Sequence, residues 1–272
     1  MSSTIDLYEK QLKRYAVRTY PIFLRALQSQ VNPVVEYIRR TGNINPPLDI
    51  LVMPNVFIRP IQQSYEMVGM LAAKRQFYLM QGTENKAVID FLIDAWRAVF
   101  LDYATNYAYQ IDNELSETTK EEIRRALAEA YEQGLNADRT ATYIREKVGR
   151  RISRSRAVLI SRTESATAAN LGKRTGAESW LTENNEKGYK QWIGRNDGRE
   201  RTTHIQLNDD IIPMDNNFMV GKDKGQYPGD VNLSADERCN CRCTVIYMSE
   251  RRYNRIISER KSKLNFVIEN IL

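Results

Sequence analysis

Histidine occurs once in this chain of 272 residues, at His204, and cysteine only at Cys239, Cys241 and Cys243. One imidazole excludes a nuclease of the two-histidine type. Three thiols are too few, and odd in number, for the disulfide framework of a small secreted domain, so reduced thiols or metal ligands are expected. No stretch approaches the roughly 20 apolar residues that cross a bilayer, and Met1 to Lys10 is polar with no apolar segment behind it. Neither a membrane span nor a secretory leader is therefore expected, and no membrane partner. Internal repeats and low-complexity tracts are also absent. What remains is an ordinary globular balance, 42% hydrophobic and 27% charged, sufficient for one large domain or two modest ones. The net charge of +6 permits nucleic-acid or acidic-protein partners and selects neither.

Ile5, Tyr8, Leu12, Tyr15, Ile22, Ala26, Val34 and Ile38 follow the three-and-four spacing of an amphipathic helix, which Pro21 and Pro33 are expected to divide into kinked pieces. The proline-rich run Asn43 to Pro60 reads as an extended connector. Helical spacing resumes at Ile61, Tyr65, Val68, Leu71 and Ala72, and again beyond Thr83, a potential cap for a helix carrying Val88, Phe91, Leu92, Ala95, Val99 and Tyr103. Thr119 and Glu122 form a capping box that would start another helix, with Ile123, Leu127 and Tyr131 on its buried face and Gly134 as its left-handed stop. Residues 155–185 read as one more helix, in which Ala166, Ala169 and Gly172 would let another backbone come close.

Past Gly188, the runs YKQWIGR and CTVIYM are short and β-branched or aromatic. Turn formers at Asn196-Asp197-Gly198, Asn208-Asp209-Asp210 and Pro228-Gly229-Asp230 separate them, the pattern of a small antiparallel sheet with long loops. Ile256, Ile257, Leu264, Val267, Ile268 and Ile271 mark a closing amphipathic helix. The expected class is α+β: a mainly helical N-terminal part, a small antiparallel β module with long loops, and a C-terminal helix. The expected divisions are 1–149, 150–249 and 250–272.

All three cysteines fall within ERCNCRC, at alternate positions. On an extended strand they would share one face, and a loop returning His204 would complete a Cys3His set suited to one structural zinc ion. The competing interpretation makes them small buried hydrophobes, with His204 a hydrogen-bonded turn residue. A catalytic Cys–His pair is a third, disfavoured because a closed four-ligand site leaves no open position for chemistry.

The run Arg145 to Arg156 is strongly basic. On a continuous helix at about 100° per residue, Lys147, Arg150, Arg151, Arg154 and Arg162 would share an arc of about 120° that could track DNA phosphates, provided Gly149 does not break it. A solvated face with local pairs to Glu146 or Glu164 is the alternative.

Three segments in order, ISRTESATAANLGKRTGA from Ile160, KQWIGRNDGRERTTHIQLNDDIIPMDNNF from Lys190 and YPGDVNLSADERCNCRCTVIY from Tyr227, together resemble the phage Mu F-like minor head protein family, or phage head morphogenesis domain. The matching residues are Arg162-Thr163-Glu164, Lys190 with Trp192, Asp197, Arg199, Arg201, His204, Pro228-Gly229-Asp230 and Asn240-Cys241-Arg242-Cys243. Gly198-Arg199 after Asp197 and the extra Cys239 depart from the pattern. The resemblance implies a minor capsid component of a tailed phage, inside the head near the portal vertex and in the host cytoplasm during assembly. It would act in head assembly, DNA packaging or genome delivery and would not be an enzyme. The portal protein and the major capsid or scaffold protein are the implied partners, met through residues 1–149, with double-stranded DNA as a further one.

Within that frame Glu164, Trp192, Asp197, Arg199 and Arg201 are expected to form a structural network. Glu164, buried in an Ala-rich helix, would pair with Arg199 or Arg201, and Asp197 would cap its own turn. The rivals are a metal-dependent nuclease using His204, Asp197 and Glu200, a toxin domain of the ADP-ribosyltransferase type, and a free DNA-binding protein.

Overall fold

Helix α1 runs unbroken over Ser2–Thr41 with Pro21 and Pro33 inside it, so the expected division at the prolines does not occur. Each proline removes one backbone hydrogen bond at a cost of about 3 kcal/mol. Against that, Phe23, Leu27, Val31, Val34, Val35 and Ile38 are all buried along one stripe, and each contributes about 1.5–3 kcal/mol. Packing outweighs the missing amides.

The computed structural model describes residues 2–82 and 86–271, with side chains over 5–82 and 88–263. Thr83 and the side chains of Leu264, Val267, Ile268 and Ile271 lie outside the described residues. Short α2 (Leu48–Leu51) interrupts the proline-rich connector, and α3 (Ile58–Gln81) begins before Pro60, which the first helical turn tolerates. Helix α4 (Lys86–Glu132) passes straight through the capping-box pattern. Thr119 is not a cap there: its hydroxyl lies within hydrogen-bond reach of Leu115 O one turn back (2.9 Å) and of buried Gln30 Oε1 (2.8 Å). Gly134 (φ +66°) ends α4 as expected, with Gly134 N–H on Tyr131 O and Leu135 N–H on Ala130 O. Tyr131, expected on the buried face, is exposed.

After α5 (Ala137–Ile144), capped by Asn136, comes a π-helical segment, Arg145–Ile152, and then α6 (Ser153–Glu183). The remainder is β1 (Gly188–Ile193), α7 (Thr202–Gln206), β2 (Ile211–Pro213), β3 (Phe218–Val220), β4 (Asp223–Gly225), α8 (Ala235–Arg238), β5 (Thr244–Ser249) and α9 (Glu250–Ile271). The α+β class read from the sequence is the class of the structure. Among the described residues no helix is long and apolar enough to cross a membrane.

Two compact units comprise, respectively, Met1–Tyr8, Gly69–Trp96 and Ala166–Leu272, and Glu9–Val68 with Arg97–Ser165. In the second, Val31, Val34, Val35 and Ile38 pack with Leu48, Val52, Ile123, Ala126, Ala141, Ile144 and Val148. Buried Asp112 accepts the amides of Asn55 (2.6 Å) and Phe57 (2.9 Å), which fixes the turn leading into α3. In the first unit, β1 lies between β2 and β5, antiparallel to both, with Trp192 opposite Val245. Tyr253 of α9 stacks on Tyr189 of β1 at 3.8 Å.

Gly172 and Gly176 carry α6 onto α3. A Cβ on either would sit 2.2 Å from a backbone oxygen, of Gly69 and Ala73 respectively. Because backbone cannot yield as a side-chain tip does, Gly176→Ala should destabilise by about 3 kcal/mol or more. A denaturant midpoint equal to that of the unaltered protein would contradict the close approach.

Candidate metal centre

His204 sits in one-turn α7, whose backbone folds back through His204 N–H to Arg201 O (2.9 Å). Trp192 of β1 meets its ring edge-on, centroids 5.4 Å apart at 82°, and Phe218 packs on the indole in turn (5.2 Å). These aromatic contacts set the imidazole plane. Cys241 and Cys243 lie between α8 and β5. Their sulfurs are 3.5 and 3.4 Å from His204 Nδ1, and one ligand atom from each of the three residues lies within 4.8 Å of the others. His204 and Cys243 are each 2% exposed and Cys241 6%.

This arrangement fits a metal ion. With metal–sulfur bonds of about 2.3 Å and metal–nitrogen bonds of about 2.05 Å, a tetrahedron has sulfur-to-nitrogen edges of about 3.5 Å, the spacing the protein already holds. Glu237 Oε2 lies 3.1 Å from His204 Nε2, though off the line of a hydrogen bond. A carboxylate there favours a proton on Nε2 and leaves the Nδ1 lone pair facing the sulfurs. Thr203 Oγ1 donates to the same carboxylate oxygen (2.9 Å).

The two thiols are unequal. Cys241 is pushed well below the usual thiol range, first by a hydrogen bond from Cys243 and further by His204, against the opposing effect of burial. Cys243 is pushed well up, first by its bond to Cys241, then by burial. A divalent cation held by both sulfurs would displace their protons.

Cys239 is not part of the group. The expected strand does not form across the cysteines, because β5 starts only at Thr244 and Asn240 adopts a left-handed turn (φ +56°). The period-two rule thus fails here. Cys239 instead ends α8, and its carbonyl accepts from Arg201 (2.7 Å).

Asp197 Oδ1 accepts its own turn's Arg199 amide (3.2 Å), and the carboxylate is gripped at both oxygens by Arg242 (2.5 and 2.8 Å). That fork holds the Asp197 carboxyl down at about 2. Arg242 was missed as a partner from sequence, although a residue between two inward-facing cysteines has little choice but to face away from them. Arg199 itself is exposed. Glu164 pairs with neither Arg199 nor Arg201 as expected: it accepts from Tyr65 (3.1 Å) and Tyr107 (2.9 Å). Neutral phenols satisfy a buried carboxylate without desolvating a second charge.

Lys147, Arg150, Arg151 and Arg154 surround one surface depression of about 800 Å3, together with Tyr143, Glu146 and Ser155. Arg162 is exposed but does not line it. Gly149 leaves the helix continuous, while the π-helical turn replaces the 100° spacing assumed from sequence. Lys147 binds Glu129, and Arg150 pairs with Glu146 at 3.0 Å.

Residues 121–246 match the family described as Phage Mu protein F like protein. Minor head protein GP7 of Bacillus phage SPP1 is similar as well, 32% identical over 152 residues. The match covers 55% of this chain and 47% of that protein, so the chain spans about half the length of its curated relative. No solved structure matches. The matched region takes in the whole His204, Cys241 and Cys243 arrangement with its Asp197–Arg242 clasp, and it is over this region that the chain is similar to the phage Mu protein F-like family.

Proposed function

We propose that the chain is a structural minor capsid protein of a tailed phage, portal-associated and taking part in head assembly, DNA packaging or genome delivery, with a zinc-pinned module as its C-terminal part. The observation that carries this reading is the burial of His204, Cys241 and Cys243 against one another. A group sealed at 2–6% exposure holds loops together; it offers a substrate no approach. Two thiolates and an imidazole are the soft ligand set that suits zinc, and the ion would tie α7 to the segment before β5. Residues 1–149 are the surface proposed for the portal, scaffold or major capsid protein.

The basic depression favours a second contact, with the backbone of double-stranded DNA. Lys147, Arg150, Arg151 and Arg154 converge there without aromatic stacking partners beyond Tyr143, which suits phosphate tracking rather than base reading.

Elemental analysis of the purified protein should find about one zinc per chain, lost in His204→Ala, Cys241→Ser and Cys243→Ser and retained in Cys239→Ser. A folded, metal-free protein would remove the zinc component. Acidification should release the metal by protonating its ligands while the Asp197–Arg242 clasp persists. The folded-state pKa of Asp197 is depressed, so the clasp's contribution is complete above the ordinary value of about 3.9 and is lost as pH falls through about 2. NMR titration of the carboxyl checks the order of the two events. Co-expression with the portal gene of the same phage tests the docking role: the full chain should co-purify with the portal oligomer. Arg150→Ala combined with Arg151→Ala and Arg154→Ala should flatten the salt dependence of duplex binding, by up to about one unit of log–log slope for each phosphate no longer neutralised.

A further inference from the structure

From Lys10 to Val35 the basic residues are Lys10, Lys13, Arg14, Arg18 and Arg25, and there is no acidic residue among them. All of these basic side chains are exposed on α1. Lys13 reaches Glu9 at 3.8 Å, whereas Arg14, Arg18 and Arg25 make no ion pair among the described residues. Their spacing of four and then seven residues sets them on one face of the helix, and Gln28, one turn beyond Arg25, shares that face.

Two contacts lay this part of α1 beside the stretch that runs from the π-helical segment into α6. Thr19, next to Arg18, holds its hydroxyl 3.1 Å from that of Ser165, and Gln28 donates to Gly149 O (3.4 Å). Both stretches belong to the unit that comprises Glu9–Val68 and Arg97–Ser165. The second stretch exposes Arg151, Arg154 and Arg162, which also make no ion pair among the described residues. Its Lys147 and Arg150 are already engaged, by Glu129 and Glu146. Unpaired guanidinium groups thus stand on both neighbours.

The centre of a protein-docking face is depleted of charge, and a row of like charges repels itself unless it meets a polyanion. At about 1.5 Å per residue, Arg14 to Arg25 spans about 16 Å. Duplex DNA presents roughly ten phosphate charges over that length, at one per ~1.7 Å of its axis, so each guanidinium has a phosphate within reach.

Building on the reading of the basic depression as a DNA contact, we infer that Arg14, Arg18 and Arg25 of α1 extend it, forming with Arg151, Arg154 and Arg162 one track for the phosphate backbone of double-stranded DNA. Arg162, which stands outside the depression, then shares the role of the arginines that line it. Such a track positions the duplex without reading its bases.

The test measures binding of the full chain to a fluorescently labelled duplex over a series of salt concentrations. Each phosphate contact contributes about 0.9 to the slope of log affinity against log salt, so Arg14→Ala, Arg18→Ala and Arg25→Ala combined should lower the slope by up to about 2.7. Lysine at the same positions should restore most of it, since an ammonium also neutralises a phosphate. Arg251→Ala, Arg252→Ala and Arg255→Ala combined, on the exposed side of α9, remove the same charge and should leave the slope unchanged. An equal loss in that control would reduce the effect to net charge and overturn the track. An unchanged slope in the α1 variant, while Arg150→Ala, Arg151→Ala and Arg154→Ala flatten it, would overturn the track and leave the depression standing. So would an α1 variant that binds duplex as before but no longer co-purifies with the portal oligomer, which would make the row a protein-docking face. A full chain that binds no duplex even at low salt would overturn both readings.

Discussion

Two buried sulfurs, each within 3.5 Å of the same imidazole nitrogen, are the constraint around which the C-terminal module is arranged. Its main sheet has strands of six, three and six residues, too little to bury a large apolar core unaided. Long loops between these strands are held by polar contacts instead. Glu237 faces the far nitrogen of His204, Arg201 takes the carbonyl of Cys239, and Arg242 forks onto Asp197. Each ties α7 or the turn before it to the segment from α8 to β5. The aromatic pair Trp192 and Phe218 supplies the apolar floor beneath them.

The other unit solves a different problem with related chemistry. Its helices bury a conventional aliphatic stripe, and polar side chains inside it are matched mainly to neutral partners. Gln30 bridges Ser116 and Thr119, Asp112 takes two backbone amides, and Glu164 takes two phenols. Where a guanidinium is drawn in, at Arg156, it donates to Thr119 Oγ1 and Leu115 O. Such pairings avoid the desolvation of two opposite charges and still leave few buried polar groups unsatisfied.

Local chemistry made much of this legible. Gly134 ends α4 because only a left-handed residue fits there, and β1 and β5 follow from short β-branched and aromatic runs between turn formers. The scarcity of histidine and cysteine pointed to the centre, since ligands so few and so grouped had few places to meet. Proline, by contrast, misled at residues 21 and 33, and the capping-box pattern misled at Thr119. Both are local penalties of a few kcal/mol, and burial of neighbouring residues offsets them by amounts no short window of sequence contains.

Composition and spacing therefore determined the fold class, the helix-to-sheet transition near Gly188 and the choice of His204, Cys239, Cys241 and Cys243 as candidate ligands, from which the structure removes Cys239. Tertiary structure decided who meets whom: that Asn240 turns Cys239 away, that Arg242 rather than Arg199 or Arg201 clasps a motif carboxylate, and that Glu164 meets tyrosines. The physical reason is one of range. Backbone preferences act over a few residues, whereas a buried polar group takes whatever donor or acceptor the packed chain delivers to it, from any distance along the sequence.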